Sequence, residues 1–205
     1  MGELVGIYWK PVYKTIRIRF GKTNEEAKDL TQSFLTMLLE RDALEGFSAS
    51  RGTFRTYLRT LLDRFVANEH KASHRLKRGG NLTAVDFEEA EAELSSSAAV
   101  SPDELLHQEW IRSVLERSVD QLEAELRREG KHEYMVLFRR YDLDGSDQSY
   151  RQLATELGTT ESTVTNRLAF ARRRFRQIVL DVVRSVTASD EEFRQEVRAL
   201  LGVEP

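Results

Sequence analysis

The segment "DLDGSD", Asp142 to Asp147, places aspartates at the first and third positions of a calcium-loop pattern. Such a loop also needs glycine at its sixth position and a bidentate glutamate at its twelfth. Asp147 and Leu153 stand there instead, so the segment reads as an ordinary inter-helix loop. His70, His74, His107 and His132 have no partners at metal-ligand spacing. The chain contains no cysteine, which excludes disulfides, thiolate catalysis and zinc-thiolate sites and fits a reducing compartment. No nucleophile motif or phosphate-cradling glycine loop is present. The reading is therefore of a non-enzyme with no metal and no cofactor. The chemistry that remains is charge: Arg172, Arg173, Arg174 and Arg176 close the stretch "YRQLATELGTTESTVTNRLAFARRRFR". Guanidinium groups bind phosphate bidentately, which points to a polyanion.

Two short helices would have to position those arginines. Ser149 and Gln152 make a capping box for the first, whose expected buried face is Tyr150, Leu153, Ala154 and Leu157. Gly158 permits the turn, and Thr160 caps the second helix. There Val164, Leu168, Ala171 and Phe175 recur at helical spacing and should face inward. Ser162, Thr163, Thr165, Asn166 and Arg167 then point outward. This spacing matches a helix-turn-helix, which lays its second helix in the DNA major groove. Any amphipathic helical hairpin with a basic edge would share the pattern.

The wider chain is soluble in composition, with 205 residues, 40% hydrophobic and 32% charged. It shows no membrane-length apolar window and no signal-peptide core, so a cytoplasmic protein without membrane insertion is expected. The net charge of −3 conceals a pattern. Residues 1–80 hold 15 basic and 9 acidic residues, whereas residues 81–130 hold 4 and 13. Residues 131–176 turn basic again, with 9 against 6. Two basic blocks around an acidic one suit two surfaces that face a polyanion and a spacer that avoids it.

Helical periodicity runs throughout, with no strand pattern and no internal repeat, so the fold class is all-α. Leu4 to Phe20 reads as one helix, with Pro11 as a kink or first-turn residue. Thr23 and Glu26 form a capping box ahead of Ala27, Leu30, Phe34, Leu35 and Leu38. After "GFSASRG", the stripe Phe54, Tyr57, Leu58, Leu61, Leu62, Phe65 and Val66 predicts a long helix that ends at Gly79 and Gly80. Residues 81–100 are acidic and rich in Ala and Ser, as a flexible linker is. Ser101, Pro102 and Glu104 start the next helix, which Ile111, Val114, Leu115, Val119, Leu122 and Leu126 continue to Gly130. Tyr134, Leu137, Phe138 and Tyr141 stripe a further element. The expected organisation is a domain at 1–80, a linker at 81–100, a second domain at 101–180 and an added helix within 181–205.

Three stretches together resemble a known family. "DLTQSFLTMLLE" and "GTFRTYLRTLLDRFVANEH" resemble region 2 of bacterial RNA polymerase sigma factors of the extracytoplasmic-function (ECF) group, and "SYRQLATELGTTESTVTNRLAFARRR" resembles their region 4. The resemblance implies a subunit that binds core RNA polymerase, recognises promoter DNA and holds an open bubble. It implies polymerase contacts at Asp29, Gln32 and Glu40, and minus-ten contacts at Phe47, Arg64, Asn68 and Lys71. It implies minus-thirty-five contacts at Ser162, Thr163, Thr165, Asn166, Arg167, Arg172, Arg173, Arg174 and Arg176. An anti-sigma protein joins the partners that the resemblance admits. Independently of it, a basic groove with aromatic faces is what single-stranded DNA requires.

The chain also departs from that family. Members usually carry a further helix before the equivalent of "YWKPVY", whereas seven residues precede Tyr8 here. The expectation is a trimmed domain or a missed upstream start, with Ala27, Leu30 and Phe34 left partly exposed. Arg64 stands where many members have Asn, and Thr165 and Phe170 replace positions that are often basic, so promoter preference does not transfer. "SDEEFRQEVRALLG" adds a capped helix with Phe193, Val197, Leu200 and Leu201 apolar, read as extra packing. The alternatives are a helix-turn-helix regulator acting without polymerase, and a polymerase-binding decoy unable to open promoters.

Overall fold

The computed structural model describes residues 2–40, 46–48, 52–77 and 102–202. Among them are eight α-helices, one π-helical turn and no strand. The helices are α1 (Gly2–Arg19), α2 (Asn24–Glu40), α3 (Phe54–Lys77), α4 (Pro102–Arg128), α5 (His132–Phe138), α6 (Tyr150–Glu156), α7 (Glu161–Ser185) and α8 (Asp190–Leu201). The π turn spans Arg139–Leu143. No helix among the described residues is long and apolar enough to cross a membrane.

The chain divides into two compact units, Met1–Ser113 with Ser185–Pro205, and Val114–Arg184. That division falls inside α4 and at the end of α7, away from the composition shifts of the sequence. The acidic linker of residues 81–100 lies outside the described residues, as do Gly79, Gly80 and Ser101.

In the first unit α1 packs on α2. Pro11 sits inside α1, where Thr15 donates its hydroxyl to the Pro11 carbonyl, and Tyr8, Val12 and Ile16 carry the buried stripe past it. The α2 stripe expected to be partly open is covered: Ala27 and Phe34 are fully buried and Leu30 is half-buried. The reason is that α1 supplies the missing apolar face, with Ile7, Tyr8, Val12 and Ile16 all in the core. Thr23 and Glu26 cap α2 reciprocally, as their spacing predicts. Phe54, Leu58, Leu62 and Val66 bury one stripe of α3. Phe54 meets Tyr8 edge to face and Phe34 meets Phe65 likewise.

The first turns of α4 belong to this unit because Leu106 and Trp110 are buried there, with the Arg55 guanidinium over the indole and Lys14 paired to Glu109. The added helix α8 also packs here. Its Phe193 and Val197 are buried, and so, unexpectedly for carboxylates, are Glu192 and Glu196. Glu192 accepts from the Phe54 and Ala188 backbone N–H groups, and Glu196 pairs with Arg55. Burial pushes the Glu196 carboxyl above the ordinary range, against the pull of Arg55.

In the second unit Leu137, Leu153, Ala154, Val164 and Leu168 form a core flanked by Tyr141 and Tyr150. Ser149 and Gln152 close the predicted capping box on α6. Leu157 departs from expectation: it stands 41% exposed rather than in the core. The chain leaves helical geometry at this residue and enters the turn at Gly158 (φ 61°), so the α6 stripe no longer applies to it.

Candidate nucleic-acid interface

Thr160 starts α7 by accepting from the Thr163 N–H at 3.2 Å, while its hydroxyl also meets those of Ser162 and Thr163. From there Val164, Leu168 and Ala171 are buried and Phe175 is half-buried, so one face of α7 is committed to the core. At about 3.6 residues per turn, Ser162, Thr165, Asn166, Arg173 and Arg176 fall within roughly 100° of one another on the opposite face. All five are exposed. Thr165 turns its hydroxyl back to the Glu161 carbonyl, and Ser162 is tied to the cap. Asn166, Arg173 and Arg176 have no side-chain hydrogen bond or ion pair among the described residues, so their donors stay available.

Arg167, Arg172 and Arg174 lie on the flanks of that face, and each has a carboxylate partner. Arg172 engages all three of its nitrogens. Nε donates to both Asp142 oxygens at 3.0 and 3.1 Å, Nη2 donates to Asp142 at 2.8 Å, and Nη1 donates to the Tyr150 hydroxyl at 3.1 Å. These partners hold the Arg172 pKa above its ordinary value. Arg174 forms a bidentate pair with Glu125, at 2.6 and 2.8 Å. Arg167 pairs with Glu133 at 3.1 Å, its guanidinium 5.6 Å above the Tyr134 ring. Tyr134 stands edge-on to Phe170, whose face carries the Lys131 ammonium at 4.3 Å. An ammonium from the α4–α5 turn therefore lies on the ring of the apolar residue that replaces an often basic position.

Nothing in the local pattern announces these partners, since Asp142 lies 30 residues from Arg172 and Glu125 lies 49 from Arg174. Asp142 had only one notable sequence signal, the calcium-loop likeness. Its carboxylate instead anchors the π turn to α7.

The first unit holds the remaining candidates. Asp29 and Gln32 are exposed on α2 and Glu40 is its last residue. Arg64, Asn68 and Lys71 are exposed and share one face of α3 at i, i+4 and i+7. Phe47 is not with them. It is half-buried and meets Phe54 edge to face at 5.4 Å and Tyr57 at a tilt at 5.7 Å, at the start of α3. Arg64 is ten residues further along that helix, about 15 Å at 1.5 Å per residue.

A family model described as ECF sigma factor matches residues 8–181. No curated protein and no solved structure matches the chain.

Proposed function

The chain belongs to the ECF sigma factor family, and from that premise we propose that it guides core RNA polymerase to promoters with its two units in separate roles. Membership carries the coarse function, transcription initiation with RNA polymerase. The finer assignment is the reading offered here. Asp29, Gln32 and Glu40 on α2 contact the polymerase. Arg64, Asn68 and Lys71 on α3 grip the melted minus-ten strand, and Phe47 offers an aromatic face beside the start of that helix. The pair α6–α7 acts as a helix-turn-helix on the minus-thirty-five element, with an acidic spacer between the two DNA-facing parts and no catalytic step.

The observation that carries this reading is the open face of α7. Ser162, Thr165 and Asn166 lead it and Arg173 and Arg176 follow, with no acceptor for the two arginines among the described residues. A major-groove helix needs this order, short polar groups near its start for base edges and cations further along for phosphates. The flanking Arg172 and Arg174 support a modified role. Already paired with Asp142 and Glu125, they brace α7 and supply less of the phosphate grip than their sequence position suggests.

Reconstitution tests the reading directly. The purified chain should bind core polymerase and support run-off transcription from fragments selected out of random DNA. Binding to duplex DNA without polymerase, or polymerase binding without transcripts, would replace it with one of the two alternatives.

A further inference from the structure

Arg167 is the one arginine near the start of α7, next to Asn166, and it is neither free nor saturated. Its side chain is 25% exposed and lies along the Tyr134 ring, while Glu133, 67% exposed on the first turn of α5, holds it by a single ion pair. The aromatic shelf is itself fixed, because Tyr134 meets Phe170 edge to face at 5.4 Å. The arm is thus pre-ordered, and the carboxylate occupies the guanidinium at the end of the helix that must approach bases. We propose that Glu133 is a specificity-determining residue that acts through Arg167, a role that rests on the reading of α7 as the promoter-reading helix.

The physical basis is a difference between two kinds of DNA contact. A carboxylate beside Arg167 opposes every phosphate that approaches, whatever the sequence. A guanine edge offers two acceptors, O6 and N7, in the geometry of the guanidinium fork, and so can replace Glu133 with a stronger bidentate contact. Sequences without that edge leave Arg167 neutralised on Glu133, so the guanidinium adds no sequence-independent grip on their phosphates. Discrimination then comes from a repulsive element as well as an attractive one. Glu133 itself contacts no base in this scheme, since its carboxylate works by holding the guanidinium.

The test uses holoenzyme reconstituted from the full chain and core RNA polymerase. Two probes are compared, a duplex pool randomised in its upstream element and the duplex that wild-type holoenzyme selects from that pool. Glu133→Gln should tighten binding to the pool more than to the selected duplex, and the ratio of the two affinities should fall about threefold, the scale of an exposed ion pair. Glu133→Asp should keep most of the ratio. In an Arg167→Ala background Glu133→Gln should no longer change it. An unchanged ratio in Glu133→Gln overturns the proposal, and so does an equal fall with and without Arg167, which would make Glu133 a general repulsive charge. If Arg167→Ala alone leaves the ratio intact, base reading by Arg167 fails as well, while loss of all selection in the wild type would instead refute promoter reading by α7.

Discussion

Arg172 and Arg173 are adjacent in sequence and should behave differently when each is changed to Gln. Arg173 is exposed with no internal ion pair among the described residues, whereas every Arg172 nitrogen already donates to Asp142 or Tyr150. Each phosphate neutralised contributes about 0.9 to the slope of log affinity against log salt. Between about 50 and 200 mM salt, a fourfold change, one such contact is worth about 3.5-fold in affinity. Arg173→Gln should therefore flatten the slope of holoenzyme binding by about 0.9, weakening promoters similarly at low salt. Arg172→Gln should leave the slope nearly unchanged. Its cost should appear in the fold, because the π turn loses its tie to α7. The pair is 41% and 25% exposed at its two side chains, so that cost is held to about 1 kcal/mol by solvent screening. The assay is fluorescence anisotropy of holoenzyme on a labelled selected duplex across a salt series, with thermal unfolding of the free chain alongside. Equal flattening by both variants would show that Asp142 releases Arg172 on DNA and that the division of the arginines is wrong.

Three further outcomes follow from the same geometry. Leu153→Ala should destabilise the second unit by about 2–5 kcal/mol, while Leu157→Ala should cost under about 0.5 kcal/mol, and denaturant unfolding that ranked them equally would contradict the burial pattern. Gly158→Ala meets no atom within 4 Å but needs a left-handed residue, so backbone strain alone should cost about 1–2 kcal/mol and lower the melting temperature by several degrees. Glu196 titrates above the ordinary carboxylate range because burial penalises its charged form. Its contribution is therefore fully present below the unfolded-state value of about 4.3 and is lost as pH rises through the raised folded value. The melting-temperature advantage of the wild type over Glu196→Gln should accordingly shrink as pH rises through that window; an advantage that grew would mean that the Arg55 pair outweighs burial.

Helix positions were legible in the chain because periodicity and capping are local properties. The Thr23–Glu26 and Ser149–Gln152 boxes, the turn at Gly158 and the core stripe of α7 all depend on residues within a few positions of one another. The resemblance to sigma factors was legible for the same reason, since its motifs are contiguous, and the family match over residues 8–181 agrees with it. Local pattern failed where the helix that carried it stopped, as at Leu157. It also could not say which neighbour would cover Ala27 and Phe34, because that depends on how α1 packs. The electrostatic state of the arginines was least accessible. Arg172, Arg173, Arg174 and Arg176 are equivalent cations in sequence, and Asp142, Glu125 and Glu133 are ordinary acids far from them. Folding brings these three distant carboxylates to the flanks of α7, and among the described residues none pairs with Arg173 or Arg176, because a charge pair depends on distance in space and not along the chain. Tertiary packing thus leaves Asn166, Arg173 and Arg176 free for a partner and commits Arg172 and Arg174 to the protein itself.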